Sequence, residues 1–452
     1  MLFESYSAGN AKAAGSYSPG KYLIDVSPVA RATRGLPRTV TSTWLASNPN
    51  VLAVLYHEYI HFVQSFSMPG GLAYQLKRTE YGAAIGNNWQ ALQKMNPSER
   101  PKAKIKGWQD ERTEWKTYKA NILGVDKELV SALSGAAEWT YVADKSSNRP
   151  GFLVLPSYGS KDQKMVRLST RVFLEGMAQA VSDLIQLGGT HQKYLVAVAE
   201  SDANAIYYSI AAYLDSVSKS SPAELSQLTI NFCLTCLFDP LPHVAFSRLL
   251  QFIQHAPESV LSTVRNRPGY ASLIGADRNV GSDIAKTLLC LLDRTTGEQV
   301  HPNEPMAFER YFNRVALEKS IDATLSRDFL RLFMGPWDLT NSAHRLIEIL
   351  KKDGSPAIMD KPGSFQTFGP DKKFERDFYH TGFRLHAVID SIIDLHSGDA
   401  QTGCYLLNTG LCKHKSHGKP GCSSSIINLP LGPKKDACLG TQAARFMGMR
   451  SA

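Results

Sequence analysis

The sequence predicts an α+β chain that is predominantly helical, and three observations predict it. Apolar residues recur at helical spacing through most of the chain, with Gly and Pro between the runs. Only three short runs read as strands, at 22–26, 152–155 and 165–168. Hydrophobic residues make up 43% and charged residues 20%, which supplies a core and excludes full-length disorder, collagen-like and low-complexity chains.

The elements follow in order. Residues 1–20 are rich in Ser, Gly and Ala and read as irregular. Tyr22 to Val26 reads as a strand, and Asn48-Pro49-Asn50 offers capping and turn chemistry before a helix over 51–66. Pro69-Gly70-Gly71 stops that helix, and 72–97 reads as the next. Residues 98–119 are polar and charged and read as a solvated face or excursion without a function. A helix is expected over 127–142, then a long-looped hairpin from 152–155 and 165–168. A strong helical run spans Thr170 to Leu187 before Gly188-Gly189. Helical patterns recur near 193–217, 222–237, 241–255, 280–293, 304–333, 340–352 and 375–397, with a long Pro/Gly/Lys/Asp-rich loop at 354–373.

The 452 residues suit two or three modest domains, or one large domain with insertions. We divide them at 1–270, a helical region at 271–400, and a basic Cys/His-rich tail at 401–452. The net charge is +9, of which the tail carries +6, so the body is nearly balanced. The mean hydropathy is −0.21, and no run approaches the roughly 20 apolar residues of a membrane span. The start, Met1-Leu2-Phe3-Glu4-Ser5, has no basic stretch before an apolar one, so no secretory signal is expected. Seven cysteines are too few and too uneven for a disulfide scaffold. The expectation is a soluble cytoplasmic protein with no membrane partner.

The informative stretch is Leu55 to Gln64, which contains His57-Glu58-Tyr59-Ile60-His61. Residues four apart share a helix face, so both imidazoles can reach one metal ion. Glu58 is one position round from His57, beside the ion's open position, where it can take a proton from a bound water. This is the chemistry of metal-assisted hydrolysis. Apolar flanks at Leu52, Leu55, Ile60, Phe62 and Val63 place the motif inside a packed helix, where a His-Glu-His triplet is hard to satisfy without a partner.

At these residues the chain resembles the zincin superfamily of metallopeptidases. The metzincin pattern continues with Gly and a third His, but Gln64 and Ser67 stand there. The gluzincin branch, which takes its third ligand from a Glu on a later helix, is the closer match. His-Glu-Tyr-x-His-Phe-x-Gln followed by Glu-Gly-x-Ala is similar to microbial gluzincin-like proteins, over residues 51–71 and 165–185. Glu138, Glu175 and Glu200 all stand in helical contexts. Glu175 is preferred. An acid in an apolar helix needs a reason, and the small Gly176 and Ala178 would let this helix approach the His57 helix. The resemblance also implies a donor for the tetrahedral oxyanion; Tyr207, Tyr208 and His243 are open choices.

The tail contains Cys404, Cys412, His414, His417, Cys422 and Cys438, residue types that make closed structural zinc sites, in no zinc-finger spacing. Its lysines and arginines can meet nucleic acid or an acidic partner, but few aromatics interleave them. Cys233-Leu234-Thr235-Cys236 lies in an apolar helical run and reads as two core cysteines. His380, His386, Asp390, Asp394 and His396 include i,i+4 pairs; they read as hydrogen-bonded or surface residues, with a second metal site as the alternative. Gly15 to Tyr22 approaches a phosphate-binding loop but ends in Tyr where Ser or Thr is needed.

Together these readings give an α+β, predominantly helical protein. A zincin-like active-site helix lies beside a small sheet, followed by an additional helical region and the Cys/His-containing tail. The expected activity is zinc-dependent hydrolysis of a peptide bond, with zinc on His57, His61 and Glu175 and with Glu58 as general base. The substrate is a protein or peptide, including the case of one dedicated partner. The alternatives are a zincin-fold interaction protein without catalysis and a nucleic-acid-binding protein acting through the tail.

Overall fold

The structure is a computed structural model of the chain. It describes residues 15–18, 23–33, 35–96, 98–123, 140–142, 151–155, 164–187, 202–218, 220–266, 283–288, 290, 331–353, 355–361, 364–366, 389–394 and 396–397. These residues are mostly helical and carry two small sheets. The boundary at 270 falls between strands of one of those sheets, and residues 401–452 lie outside the described residues.

The first sheet has the order β1-β2-β6-β7: Ser16–Ser18 (β1), Leu23–Asp25 (β2), Ala357–Lys361 (β6) and Ser364–Gln366 (β7). β2 pairs antiparallel with β1 and parallel with β6. The second sheet is an antiparallel meander of Thr140–Val142 (β3), Phe152–Leu155 (β4) and Lys164–Arg167 (β5). The hairpin expected at 152–168 is β4 and β5. Three expectations are corrected. The irregular start contains β1. The helix expected over 127–142 gives way to β3 at 140–142, its remainder lying outside the described residues. The loop expected at 354–373 contains β6 and β7. These strands are three to five residues long, too short for alternation to register, and β6 pairs with a strand far away in sequence.

Short helices Ser27–Ala30 (α1) and Ser42–Ala46 (α2) lead to Pro49–Ser67 (α3). Pro49 opens α3, where its fixed φ suits the first turn and its missing N–H costs nothing. Asn48 does not cap it; its amide donates back to the Trp44 carbonyl at 2.7 Å. Met68 is extended (φ −107°, ψ 139°), which ends α3, and Pro69 at once begins Pro69–Lys94 (α4). A Cβ on Gly71 would overlap the Gln64 carbonyl, so glycine lets the two helices meet at this corner.

Residues 100–119 lie in helix Arg100–Leu123 (α5), so of the two readings the solvated face of an element holds and the excursion does not. Its surface is polar, but Trp115 is buried and stacks on Tyr81 at 5.3 Å between centroids. Thr170–Leu187 (α6), Asp202–Val217 (α7), Pro222–Leu237 (α8), Pro242–His255 (α9) and Leu339–Asp353 (α11) fall close to their predicted runs. Pro257–Asn266 (α10) is a short helix the pattern did not signal. Of the remaining helical expectations, residues 283–288 and 389–394 are helical. Residues 331–333 form a 3₁₀ turn, and the other residues near 280–293, 304–333 and 375–397 lie outside the described residues except 290, 396 and 397.

α6 lies at the centre, between α3 on one face and α7 and α8 on others. Phe173 of α6 and Phe232 of α8 are fully buried and both pack against Phe246 of α9, at 5.8 Å between ring centroids. Among the described residues, no helix is long and apolar enough to cross a membrane.

Candidate metal centre

α3 and α6 run antiparallel in register. The Gln64 amide donates to the Leu174 carbonyl at 3.2 Å, and the Ser182 hydroxyl reaches the Ala53 carbonyl at 3.5 Å. At the far end the Gln186 amide donates to Asn50 at 2.6 Å. This register puts Glu175 opposite His61. Gly176 does not face α3, contrary to the expectation that it eases that approach. A Cβ there would meet the Tyr207 carbonyl at 3.6 Å and Cys233 Sγ at 3.7 Å, so the missing side chain serves α7 and α8.

His57, His61 and Glu175 meet at one point. His57 Nε2 and His61 Nε2 are 3.1 Å apart. Glu175 Oε2 lies 3.2 Å from His61 Nε2 and 3.4 Å from His57 Nε2. A tetrahedral zinc site with arms of about 2.0–2.1 Å has edges of about 3.3 Å, and the three observed edges bracket that value. The donor set of two imidazoles and a carboxylate is also one that zinc takes. Residues and spacing therefore fit the ion. Among the described residues this is the one group of three or more such side chains able to hold a metal.

The surroundings favour a cation. Glu175 and His61 are almost fully buried, and the His57 side chain is 11% exposed, so the group opens on the His57 side. Burial alone would raise the Glu175 carboxyl. The attraction of His61 and His57 and their hydrogen bonds outweigh it, and the group is held well below the usual carboxylate range. The second oxygen, Oε1, lies 3.5 Å from Arg171 Nε one turn earlier on α6.

Glu58 is buried beside β1 and accepts a hydrogen bond from the Tyr17 backbone N–H. A Cβ on Gly15 would lie 3.2 Å from Glu58 Oε1 and would crowd Val54, so a bare backbone lets the strand lie on α3 here. Burial pushes the Glu58 carboxyl up to about 8; His57 pulls it down, while the Glu175 and Asp25 charges add to the rise.

The structure separates the three oxyanion-donor choices. The Tyr207 ring lies 6.4 Å from the His57 ring, and the Glu175 charge, followed by burial, raises its phenol. Tyr208 is raised chiefly by burial and next by Asp183, and His243 is lowered by burial and opposed by Asp239. The sequence did not single out Gln64 as functional. Its signal was its place three residues after His61, on the same helix face.

The second arrangement resolves differently. Asp390 Oδ1 pairs with Arg78 Nε at 2.9 Å, and Tyr81 Oη lies 2.6 Å from His396 Nδ1. His380 and His386 lie outside the described residues, as do Glu138, Glu200 and the tail residues Cys404, Cys412, His414, His417, Cys422 and Cys438. Cys233 and Cys236 are buried, and burial raises both thiols, in keeping with core residues. Compared with protein-family models, curated proteins and solved structures, the chain finds no match, so the functional reading stands on the geometry.

Proposed function

We propose that the chain is a zinc-dependent hydrolase that cleaves a peptide bond. The observation that carries this reading is the convergence of His57 Nε2, His61 Nε2 and Glu175 Oε2 at 3.1–3.4 Å, with Glu58 adjoining on the same helix. His57, His61 and Glu175 would hold the ion and leave a fourth position open. Zinc bound there lowers the pKa of a coordinated water and polarises a carbonyl.

The chain's own groups do the rest. Glu58 is the general base, and the Tyr17 N–H holds its carboxylate against β1. It must be ionised for this task. Burial favours the protonated form up to about pH 8, and a cation next door favours the carboxylate. Tyr207, half-buried above His57, is the donor best placed to stabilise charge on the carbonyl oxygen. His61 and Glu175 are almost fully buried, and the exclusion of water strengthens each of these interactions.

Glu58→Gln keeps size and hydrogen bonding but cannot take a proton. It is expected to lower hydrolysis by about 100- to 10,000-fold while the bound zinc is unchanged. Full activity in that variant would remove Glu58 from the mechanism. The assay needs a protein substrate panel, because an enzyme with one dedicated partner is silent on generic peptides.

A further inference from the structure

We propose that Gln64 is a positioning residue of this centre, acting through His61 and fixing which ring nitrogen faces the metal. The inference rests on the zinc reading above. His61 Nδ1 lies 2.7 Å from Gln64 Oε1, and Gln64 Nε2 donates to the Leu174 carbonyl at 3.2 Å. A carbonyl only accepts, so the amide nitrogen faces Leu174 and the amide oxygen faces His61. His61 Nδ1 therefore carries the proton. The lone pair is left on Nε2, which points at Glu175 Oε2 and His57 Nε2.

The same side chain ties the two ligand helices together beside the ligands. Leu174 precedes Glu175, so the bond to its carbonyl fixes α6 against α3 at the level of the third ligand. Gln64 is fully buried, and its amide meets both needs: it accepts from an imidazole and donates to a carbonyl. A carboxylate would serve His61 as acceptor but would face the Leu174 oxygen with a second acceptor. An apolar side chain would serve neither. Groups that accept from the outer nitrogen of a metal-bound histidine commonly change metal affinity by about 10- to 100-fold.

The test compares the full-length protein with Gln64→Met and Gln64→Glu, using zinc competition against a chelating dye and the visible spectrum of the cobalt-substituted protein. Zinc still bound by His57→Ala is subtracted, which removes any contribution from the tail. Metal-free melting curves establish that each variant folds. The proposal expects Gln64→Met to weaken zinc by about 10- to 100-fold and to alter the cobalt spectrum. It expects Gln64→Glu to recover most of the affinity, since the acceptor for His61 is restored. Native affinity in Gln64→Met would overturn the proposal and leave the zinc reading intact. Loss in both variants, parallel to a fall in metal-free melting temperature, would reduce Gln64 to a packing role. Absence of His57-dependent zinc in the native protein would instead overturn the reading on which the proposal rests.

Discussion

Two buried clusters of this protein contain the same residue types and differ in how their charges are met. On α3 and α6, two imidazole nitrogens and a carboxylate oxygen lie within 3.4 Å of one another, and they face a common point. Beside α4 the groups pair one to one: Asp390 with Arg78 and His396 with Tyr81. Both clusters carried metal-ligand spacing in the sequence. A carboxylate paired with a guanidinium is complete in itself. Two imidazole nitrogens and a carboxylate oxygen facing a common point form a donor set that a cation can complete. What distinguishes the candidate metal centre is therefore the convergence of three ligand atoms on one point, although Glu175 Oε1 also has the Arg171 guanidinium at 3.5 Å.

The largest expected effect breaks the first cluster. His61→Ala removes one corner of the site, and we expect loss of both zinc and hydrolysis. With zinc at about 1,000 times its dissociation constant, the ion would add about 4 kcal/mol to native stability. Melting with and without zinc should show that increment in the native protein and not in the variant. Breaking the second cluster should affect stability alone. Asp390→Ala leaves the Arg78 guanidinium buried without its carboxylate and should cost about 3–5 kcal/mol, read by urea unfolding, with His57-dependent zinc unchanged. If zinc were lost with Asp390 in a variant still folded, the two clusters would not be independent. The smallest effect is that of Tyr81→Phe, which removes the hydroxyl beside His396 but keeps the stacking on Trp115. About 0.5–1.5 kcal/mol is expected, again without change in zinc.

Much of the candidate site was legible in the sequence, and the reasons are physical. The His-Glu-x-x-His spacing is a local property of one helix. Glu175 stood out because an ionisable group in an apolar helical run has to be met by something. α3 and α6 were read to within two residues because Pro, Gly and long apolar periods mark their ends. What was not legible depends on partners distant in sequence. β6 pairs with β2 across more than 300 residues and carries its own Asp and Lys, so its composition reads as a loop. α5 hides its buried Trp115 in a charged surface. The task of Gln64 is invisible until α6 brings the Leu174 carbonyl to it, and Tyr207 became distinguishable from Tyr208 only through its position beside His57.

The central claim is that His57, His61 and Glu175 share one ion. Its most direct test is the zinc content per chain, by elemental analysis, of the native protein and of His57→Ala, both reconstituted with zinc and freed of excess. The account predicts that the native protein carries one zinc more than the variant, whatever the tail binds in both. Equal zinc content in the two proteins would contradict it.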